Sequence, residues 1–387
     1  MAEVFNTKKK VIITCNRRLS PFLEQEVREL GFDIKRTFNT GLELHASVNE
    51  CIKLNLNLHI ASQVLYELKS FHASNANELY KQLVQIPWED IIPFDGYFTV
   101  TSNVHNETIT TPLFANVKVK DAIVDRIKEK KGVRPNSGPD LNRAVIHLHW
   151  MEDRAEIFLD TSGETLAKHG YRKHPGKAPM LEALAAATIY ATKWDGRSPF
   201  VNPMCGSGTL AIEAALMAQT RRPGLLRMNY SFMHFVGYDE EVFFNERRIL
   251  KDITEKTNLP HIIASDISSE AIEIAKLNAR TAGVEHLIEF EVCDFAETTI
   301  PEGNGVIMFN PEYGERLGIH SRLEITYKRI GDFLKQDCKG YRGYIFTGNP
   351  DLAKKIGLKA SRRFEFFNGK LDCRLLQYEL YEGSKEQ

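Results

Sequence analysis

The sequence predicts an α/β protein, with a doubly wound parallel sheet in the second half preceded by an α+β region. Three observations carry that reading. Beyond about residue 170, short apolar strands alternate with helical patterns. One of those strands runs into a glycine turn that opens a helix. In the first half, strands and helices mix without strict alternation, which marks α+β.

The elements follow in order. VIITCN, from Val11, is a β-branched strand; Pro21 starts a helix through Leu30 and Gly31 stops it; Ile34–Leu44 is extended and hairpin-like. Val48–Ile60 is helical, SQVLYELKSF a strand and Ala76–Leu83 a helix. Tyr97–Val104 is a strand, and Lys118–Lys131 a helix ended by Gly132. Strands at Ala144–Trp150 and Arg154–Asp160 are joined by a tight turn at Glu152-Asp153. In the second half, FVNP, HIIASDI, IEFEVCD, GVIMFN and GYRGYIFTG are the strands. Leu210–Gln219, Glu270–Ala282 and Ser321–Leu334 are the helices between them. The run DCRLLQYEL, close behind Gly369, is expected to close the sheet antiparallel at an edge. Asp160–Arg172, polar and basic with Gly and Pro punctuation beyond it, marks the boundary.

Composition excludes several classes. The 387 residues hold 50 Lys+Arg against 51 Asp+Glu, a formal charge of −1, so net charge alone does not bind nucleic acid. Hydrophobic residues at 43% and charged residues at 26% suit a globular core rather than a disordered chain. Six cysteines (Cys15, Cys51, Cys205, Cys293, Cys338, Cys373) form no CxxC pair, which argues against zinc ribbons and disulfide scaffolds. MAEVFNTKKK lacks the apolar core of a signal peptide. The apolar helix around Leu184–Ala191 falls short of the roughly 20 residues a bilayer span needs. A cytoplasmic, reducing location is expected.

VNPMCGSGTL is the most informative stretch. A strand enters Gly206-Ser207-Gly208, whose glycines allow close backbone approach, and the following helix offers free N–H groups to a ligand. Neither GxGxxG nor GK[ST] is present, so this is neither the dinucleotide turn nor a P-loop. Asp266 ends the next strand, where a carboxylate can accept both hydroxyls of a ribose. Asp294 ends the third strand, placed to bond an exocyclic amine, with Phe295 placed to pack on an adenine ring. Taken singly, an aspartate after a strand is most often a helix N-cap or turn residue. The fourth strand ends in Asn310-Pro311-Glu312-Tyr313.

That quartet resembles the [DNS]PP[YFW] motif of amino-group methyltransferases. The series Gly206/Gly208, Asp266, Asp294, Asn310 is similar to that of S-adenosylmethionine-dependent class I methyltransferases. DTSGETLAKHGYR, APMLEALAAA, NPMCGSGTLAIEAAL, NPEYGERLG and FNGKLDCRLLQYEL together resemble the THUMP-domain RNA methyltransferases. Within them the chain is most similar to the bacterial enzymes that methylate guanine N2 in large-subunit (23S) ribosomal RNA, often mislabelled as adenine-specific DNA methylases. The resemblance is specific over about Asp160–Glu379 and looser before it. It implies a ferredoxin-like subdomain at 1–60, a THUMP domain at 61–160, and a seven-stranded Rossmann-like methyltransferase domain at 161–387. Some relatives carry a second methyltransferase domain; none is expected within these residues.

The resemblance further implies S-adenosylmethionine as cofactor, bound by Asn202, Pro203, Cys205, Gly206, Gly208, Thr209, Asp266, Ile267, Asp294 and Phe295. Catalysis falls to Asn310, Pro311 and Tyr313. Accepting N–H bonds on the Asn310 side-chain oxygen and the Pro311 carbonyl aims the target nitrogen's lone pair at the methyl, which is orientation rather than base catalysis. Tyr313 stacks on a base withdrawn from its helix. Glu312 replaces the motif's second proline and either bonds guanine N1–H or N2–H or simply faces solvent. Asn202 stands where relatives more often have aspartate, keeping an acceptor and losing a charge. Cys205 is rejected as a nucleophile, because its turn faces the cofactor, and is read as a small residue packing that turn.

Two basic segments are candidate RNA contacts. Lys118–Arg134 carries a local +4, with Lys118, Lys120, Arg126 and Arg134 as expected substrate contacts; otherwise it is a solvated helix with i,i+4 pairs. The linker holds Lys168, Arg172, Lys173 and Lys177, of which Arg172 and Lys173 are expected on phosphates. The alternative is a flexible, solvated linker. His169 and His174 have no ligand-spaced partner, so no metal is expected.

Three functions compete: guanine-N2 methylation of ribosomal RNA, free or in a precursor particle; adenine-N6 methylation of DNA or RNA; and a non-catalytic RNA-binding assembly protein. The THUMP-like half favours RNA over DNA, and the intact Asp266, Asp294 and Asn310 favour catalysis. A monomer or weak dimer without membrane contact is expected.

Overall fold

The computed structural model describes residues 3–109, 111–174, 180–313 and 320–381. The chain divides into two units. The first comprises Met1–Asn16, Leu23–Leu166 and Arg227–Ile249. The second comprises Arg17–Phe22, Ala167–Leu226 and Leu250–Gln387.

From the N-terminus the elements are α1 (Glu3–Asn6), β1 (Lys9–Thr14), α2 (Ser20–Glu29), β2 (Ile34–Phe38), β3 (Gly41–Ala46), α3 (Val48–Asn57) and β4 (Gln63–His72). Then come α4 (Ala76–Leu83), β5 (Tyr97–His105), α5 (Pro112–Lys131), β6 (Asn136–Ser137), β7 (Ala144–Met151) and β8 (Arg154–Asp160). The eight strands form one sheet in the order β2-β3-β1-β4-β8-β7-β5-β6. Only β5 with β7 and β5 with β6 run parallel. Local chemistry fixes the ends. Ser47 and Glu50 make a reciprocal capping box on α3, and Gly132 closes α5 in the left-handed region. α5 begins at Pro112, earlier than Lys118, because Pro suits a first helical turn.

The sheet's far end is held by a buried carboxylate. Asp160 accepts from the Ser162 amide (3.0 Å), the Gly163 amide (3.2 Å) and Gln63 Nε2 (2.7 Å). Burial still pushes its pKa up, to about 6. The first unit is completed from beyond the glycine turn. The Val145 amide donates to Ser231 Oγ (2.8 Å), and Arg227 donates to the carbonyls of Ser162 (2.9 Å) and Glu164 (2.8 Å). Gly163, at φ +80, passes so close that a Cβ there would lie 2.6 Å from the Leu141 carbonyl.

The second unit starts with α6 (Glu182–Thr192), β9 (Phe200–Pro203) and α7 (Thr209–Ala218); α8 (Glu240–Asp252) lies mostly in the returning segment of the first. There follow β10 (Ile262–Asp266), α9 (Ser269–Ala282), β11 (Ile288–Val292), β12 (Val306–Phe309), α10 (His320–Gln336), β13 (Arg342–Thr347), α11 (Pro350–Lys355), β14 (Arg362–Asn368) and β15 (Leu371–Glu379). Seven strands make the expected doubly wound sheet, ordered β11-β10-β9-β12-β13-β15-β14. The strands from β11 to β13 are parallel. β15 is antiparallel to β13, as expected, but it is not the edge. It forms a hairpin with β14 across Gly369, and β14 takes the edge. One face is filled by Val201, Ile263, Ile307, Phe309, Tyr327, Ile330 and Phe333, all buried. The chain leaves β9 in one direction for β10 and β11 and in the other for β12 and β13. The strand order therefore reverses beside β9, where open sheets bind ligands at the carboxyl ends of strands.

Candidate active site

The glycine loop is built for backbone approach from above. Met204, Gly206 and Gly208 all have positive φ, at 56°, 55° and 80°. The Cys205 amide donates to the Ser265 carbonyl and the Gly208 amide to the Cys205 carbonyl, both at 2.9 Å, which closes the turn. A Cβ on Gly206 would meet nothing within 4 Å, so its outer side is open, whereas one on Gly208 would lie 2.9 Å from the Ala275 Cβ of α9. Cys205 is half-buried, and desolvation raises its thiol pKa, so it is not a ready thiolate. Thr209 opens α7, with its hydroxyl 3.4 Å from that of Ser207.

Asp266 locks this loop to β10. Its Oδ2 accepts from the Gly206 amide at 3.0 Å and its Oδ1 from the Ser268 amide at 2.9 Å. Each oxygen keeps a lone pair for a ligand hydroxyl. Ile267, next along, is 74% exposed, an apolar surface at a strand end. Asp294 caps the turn after β11 through the Ala296 amide (3.0 Å), and Arg329 Nη2 donates to the same Oδ1 at 2.7 Å. Burial opposes its charge, but these bonds and the Arg329 charge outweigh it and hold the carboxyl below the usual aspartate range. Phe295, expected to pack on an adenine ring, lies largely in the core. Its ring is a core element, edge-to-face with Phe309 (6.0 Å) and Phe333 (6.2 Å) and 6% exposed, with Arg329 4.8 Å over it.

At the switch point, two amide oxygens stand without a hydrogen-bond partner among the described residues: Asn202 Oδ1 and Asn310 Oδ1, both buried. Asn202 donates from Nδ2 to the Met308 carbonyl (2.9 Å), tying β9 to β12 and fixing which way its oxygen points. An unpaired buried acceptor is costly, and a ligand donor relieves it. Pro311 is buried and Glu312 exposed. Tyr313 is half-buried, its ring 6.4 Å from Phe346 and its hydroxyl accepting from Asn368 Nδ2 at 2.8 Å. Burial pushes its pKa up to about 12, so it stays a phenol at neutral pH.

Part of the presumed linker is anchored in the core. His169 Nδ1 lies 2.8 Å from Glu213 Oε1 on α7, and Tyr171 donates to the same oxygen at 2.7 Å, all three side chains buried. Burial carries the Tyr171 pKa well above the ordinary value. Arg172, expected on phosphate, instead pairs with Glu182 at 2.6 Å and donates to the Met180 carbonyl at 2.6 Å. Asn278 on α9 donates to the carbonyls of His174 (3.0 Å) and Ser207 (3.2 Å), pinning the segment to the glycine loop. Lys173 is exposed; Lys177 lies outside the described residues.

On α5, Lys118 and Lys120 are half-buried and Arg134, just beyond it, is exposed. Lys118 Nζ sits 5.6 Å over the Phe114 ring. Arg126, also expected on RNA, is paired with an acid. It grips Glu89 with two nitrogens, at 3.0 and 2.8 Å, and holds that carboxyl below the usual range. No cluster of His, Cys, Asp or Glu among the described residues is arranged to hold a metal ion.

Comparison with known proteins now decides the family. Residues 169–377 match the model described as RMKL-like, methyltransferase domain. The chain belongs to the RMKL-like methyltransferase family. Residues 73–160 match the THUMP domain and 10–65 the RlmL ferredoxin-like domain, so the first unit carries both folds. The ribosomal RNA large subunit methyltransferase K/L of Syntrophotalea carbinolica is 34% identical over 387 aligned residues, covering 96% of this chain and 54% of that protein. The chain spans about half the length of the K/L relatives it matches. Among solved structures, SMU.472, provisionally described as a methyltransferase and solved with SAH, superposes with a TM-score of 0.88 at 27% identity, covering 98% of this chain and all of that one. A protein from Listeria monocytogenes, described as a predicted N6-adenine-specific DNA methylase, superposes at 0.86 with 30% identity and 97% coverage of each chain.

Within this RMKL-like site the structure adds residues that spacing did not single out. Glu213 anchors the 167–174 segment, Arg329 occupies one oxygen of Asp294, Asn278 braces the glycine loop, and Asn368 holds Tyr313. The only sequence signal for Glu213 is a carboxylate on an otherwise apolar helix, TLAIEAALMA.

Proposed function

We propose that this chain transfers a methyl group from S-adenosylmethionine to the exocyclic N2 amine of a guanine in ribosomal RNA, in the cytoplasm. The carrying observation is Asn310: a buried side-chain oxygen without a partner among the described residues, at the end of β12, beside the strand-order switch and the glycine loop. The cofactor fits the residues present. Asn202 Oδ1 would take its ammonium, Asp266 its ribose hydroxyls, Ile267 and the free oxygen of Asp294 its adenine, and the open backbone at Gly206 its chain. When bound, it supplies an electrophilic methyl on a sulfonium.

The protein's own part is orientation. Asn310 Oδ1 and the Pro311 carbonyl accept the two amine N–H groups, which draws the nitrogen lone pair out of conjugation with the ring and toward the methyl. The nitrogen–carbon bond forms as the carbon–sulfur bond breaks, its electrons stay on sulfur, and the extra proton on nitrogen passes to water. Tyr313, a phenol fixed by Asn368, stacks on the base rather than exchanging a proton. Glu312 is exposed, and accepting from guanine N1–H would favour guanine over adenine. Lys118, Lys120, Arg134 and Lys173 supply phosphate contacts.

The test is methylation, with labelled cofactor, of ribosomal RNA from cells lacking this protein, followed by nucleoside analysis. N2-methylguanosine is expected. N6-methyladenosine overturns the assignment, and Glu312→Pro with unchanged base preference overturns the role of Glu312. Absence of cofactor binding by calorimetry at millimolar concentration makes the chain an RNA-binding assembly protein instead.

A further inference from the structure

The segment Arg17–Phe22 belongs to the second unit, where it wraps the end of the β14–β15 hairpin. Phe22 stacks on Phe366 at 5.7 Å with the rings 14° apart. Arg17 and Arg18 both lie on the Phe367 ring, with Cζ atoms 4.7 and 4.3 Å from its centroid. The two cations differ in what else holds them. Arg18 is paired with Asp372 and with Glu365, the latter at 3.3 Å. Arg17 is exposed and has no carboxylate within ion-pair distance among the described residues. Arg18 also sits at φ +68, a left-handed conformation unfavourable for arginine, which turns the chain so that both guanidinium groups meet one ring. Residue 368, the next after that ring, is the asparagine that holds the Tyr313 hydroxyl. Phe367 and Asn368 are consecutive strand residues whose side chains leave opposite faces, so this oriented cation without an acid among the described residues stands on the far face of the hairpin that supports Tyr313.

We infer that Arg17 is an RNA contact, its guanidinium binding a phosphodiester of the substrate RNA while Phe367 holds its plane. The chemistry matches: a planar guanidinium takes phosphate oxygens through parallel N–H bonds, and stacking on an aromatic ring fixes its orientation without using a donor. Arg18 is the positioning residue, anchored by Asp372 and Glu365 so that the turn holds its shape. This inference rests on the RNA methyltransferase reading above and deepens it.

The experiment measures affinity for a ribosomal RNA fragment against salt concentration for the wild-type chain, Arg17→Ala, Arg17→Lys and Lys256→Ala. Lys256 is an exposed, charge-matched control ahead of the amino end of β10, at the opposite end of the strands. Losing one phosphate contact lowers the salt slope by about 0.7–0.9. That corresponds to weakening of about sixfold at 0.1 M salt for Arg17→Ala. Arg17→Lys keeps the slope and loses part of the affinity, since lysine is a point charge. S-adenosylmethionine affinity stays unchanged in all variants, which reports an intact fold. An Arg17→Ala slope equal to wild type, or equal to that of Lys256→Ala, overturns the inference while leaving the methyltransferase reading standing. Failure of the wild-type chain to bind or methylate the RNA removes the reading itself.

Discussion

Replacing Arg172 with methionine separates a structural from an RNA-binding role for the most basic part of the boundary segment. Arg172 is paired at 2.6 Å with Glu182, and the two side chains are 11% and 3% exposed. Removing the cation leaves a buried carboxylate beside a second one, Glu213, and breaking such a pair costs about 3–5 kcal/mol. At roughly 2–4 °C per kcal/mol for a unit of this size, the melting temperature should fall by about 10 °C. The loss depends on pH, and its sign follows from Glu182. Burial raises the carboxyl's pKa, and the Arg172 charge is the largest influence opposing that rise. The folded state therefore binds this proton more tightly than the unfolded chain does, and lowering the pH through the raised pKa favours folding. Deleting Arg172 raises the pKa further, so the deficit should shrink between pH 8 and pH 5. Glu182→Gln in the Arg172→Met background should restore most of it. Thermal melts across that range, with RNA binding measured alongside, are the assay. A variant that melts with wild type but binds RNA more weakly, with flatter salt dependence, refutes the pairing and returns Arg172 to the phosphates.

Other residues give sharper tests of the site. Asn310→Ala should cut methyl transfer by about 10²–10³-fold with cofactor affinity unchanged, the scale for losing one preorganised polar contact to a reacting group; equal activity in single-turnover assays removes Asn310 from the chemistry. Asp266→Ala should weaken S-adenosylmethionine binding by about 10–100-fold, since hydrogen bonds to a charged group are worth roughly 1.5–3 kcal/mol, and calorimetry reads this directly. Tyr313→Phe should retain most activity and Tyr313→Ala little, while the rate should show no phenol titration below pH 10, given a Tyr313 pKa of about 12. Asp160, with a folded pKa of about 6 against an ordinary 3.8, stabilises the first unit fully below its unfolded pKa and loses that contribution as pH rises through 6. Asp160→Asn should flatten denaturant-measured stability over that window, and an unchanged slope refutes it.

What the sequence disclosed and what it hid follow from the range of the forces involved. Strands such as IIASD and VIMF are apolar on both faces because helices cover both, so their runs are legible locally. Helix ends were legible where glycine takes a left-handed conformation, as at Gly132 and Gly283. β14, RRFEFFN, was missed because an edge strand with charges on its exposed positions carries little apolar signal. The site's glycine loop, its aspartates and Asn310 stand at strand ends and could be found in order along the chain. Charge pairing could not. Arg126 meets Glu89 and His169 meets Glu213 across long stretches of sequence, so a basic residue counted toward an RNA surface was already committed to an acid. Phe295 shows the same limit for rings: its position after a strand was right, and its neighbours Phe309 and Phe333 decided which way it faced.

The three-segment make-up of the first unit has a consequence during synthesis. Its sheet strands emerge from the ribosome first, but Arg227 and Ser231, which bond the Ser162 carbonyl and the Val145 amide, emerge only after the glycine loop. At elongation rates of roughly 5–20 residues per second the wait is on the order of ten seconds. Until then the nascent THUMP-bearing unit lacks its last piece, so its completion reports that the segment bearing the glycine loop has already been translated. A chain stalled before Arg227 would present an unfinished first unit, missing the bonds to the Ser162 carbonyl and the Val145 amide.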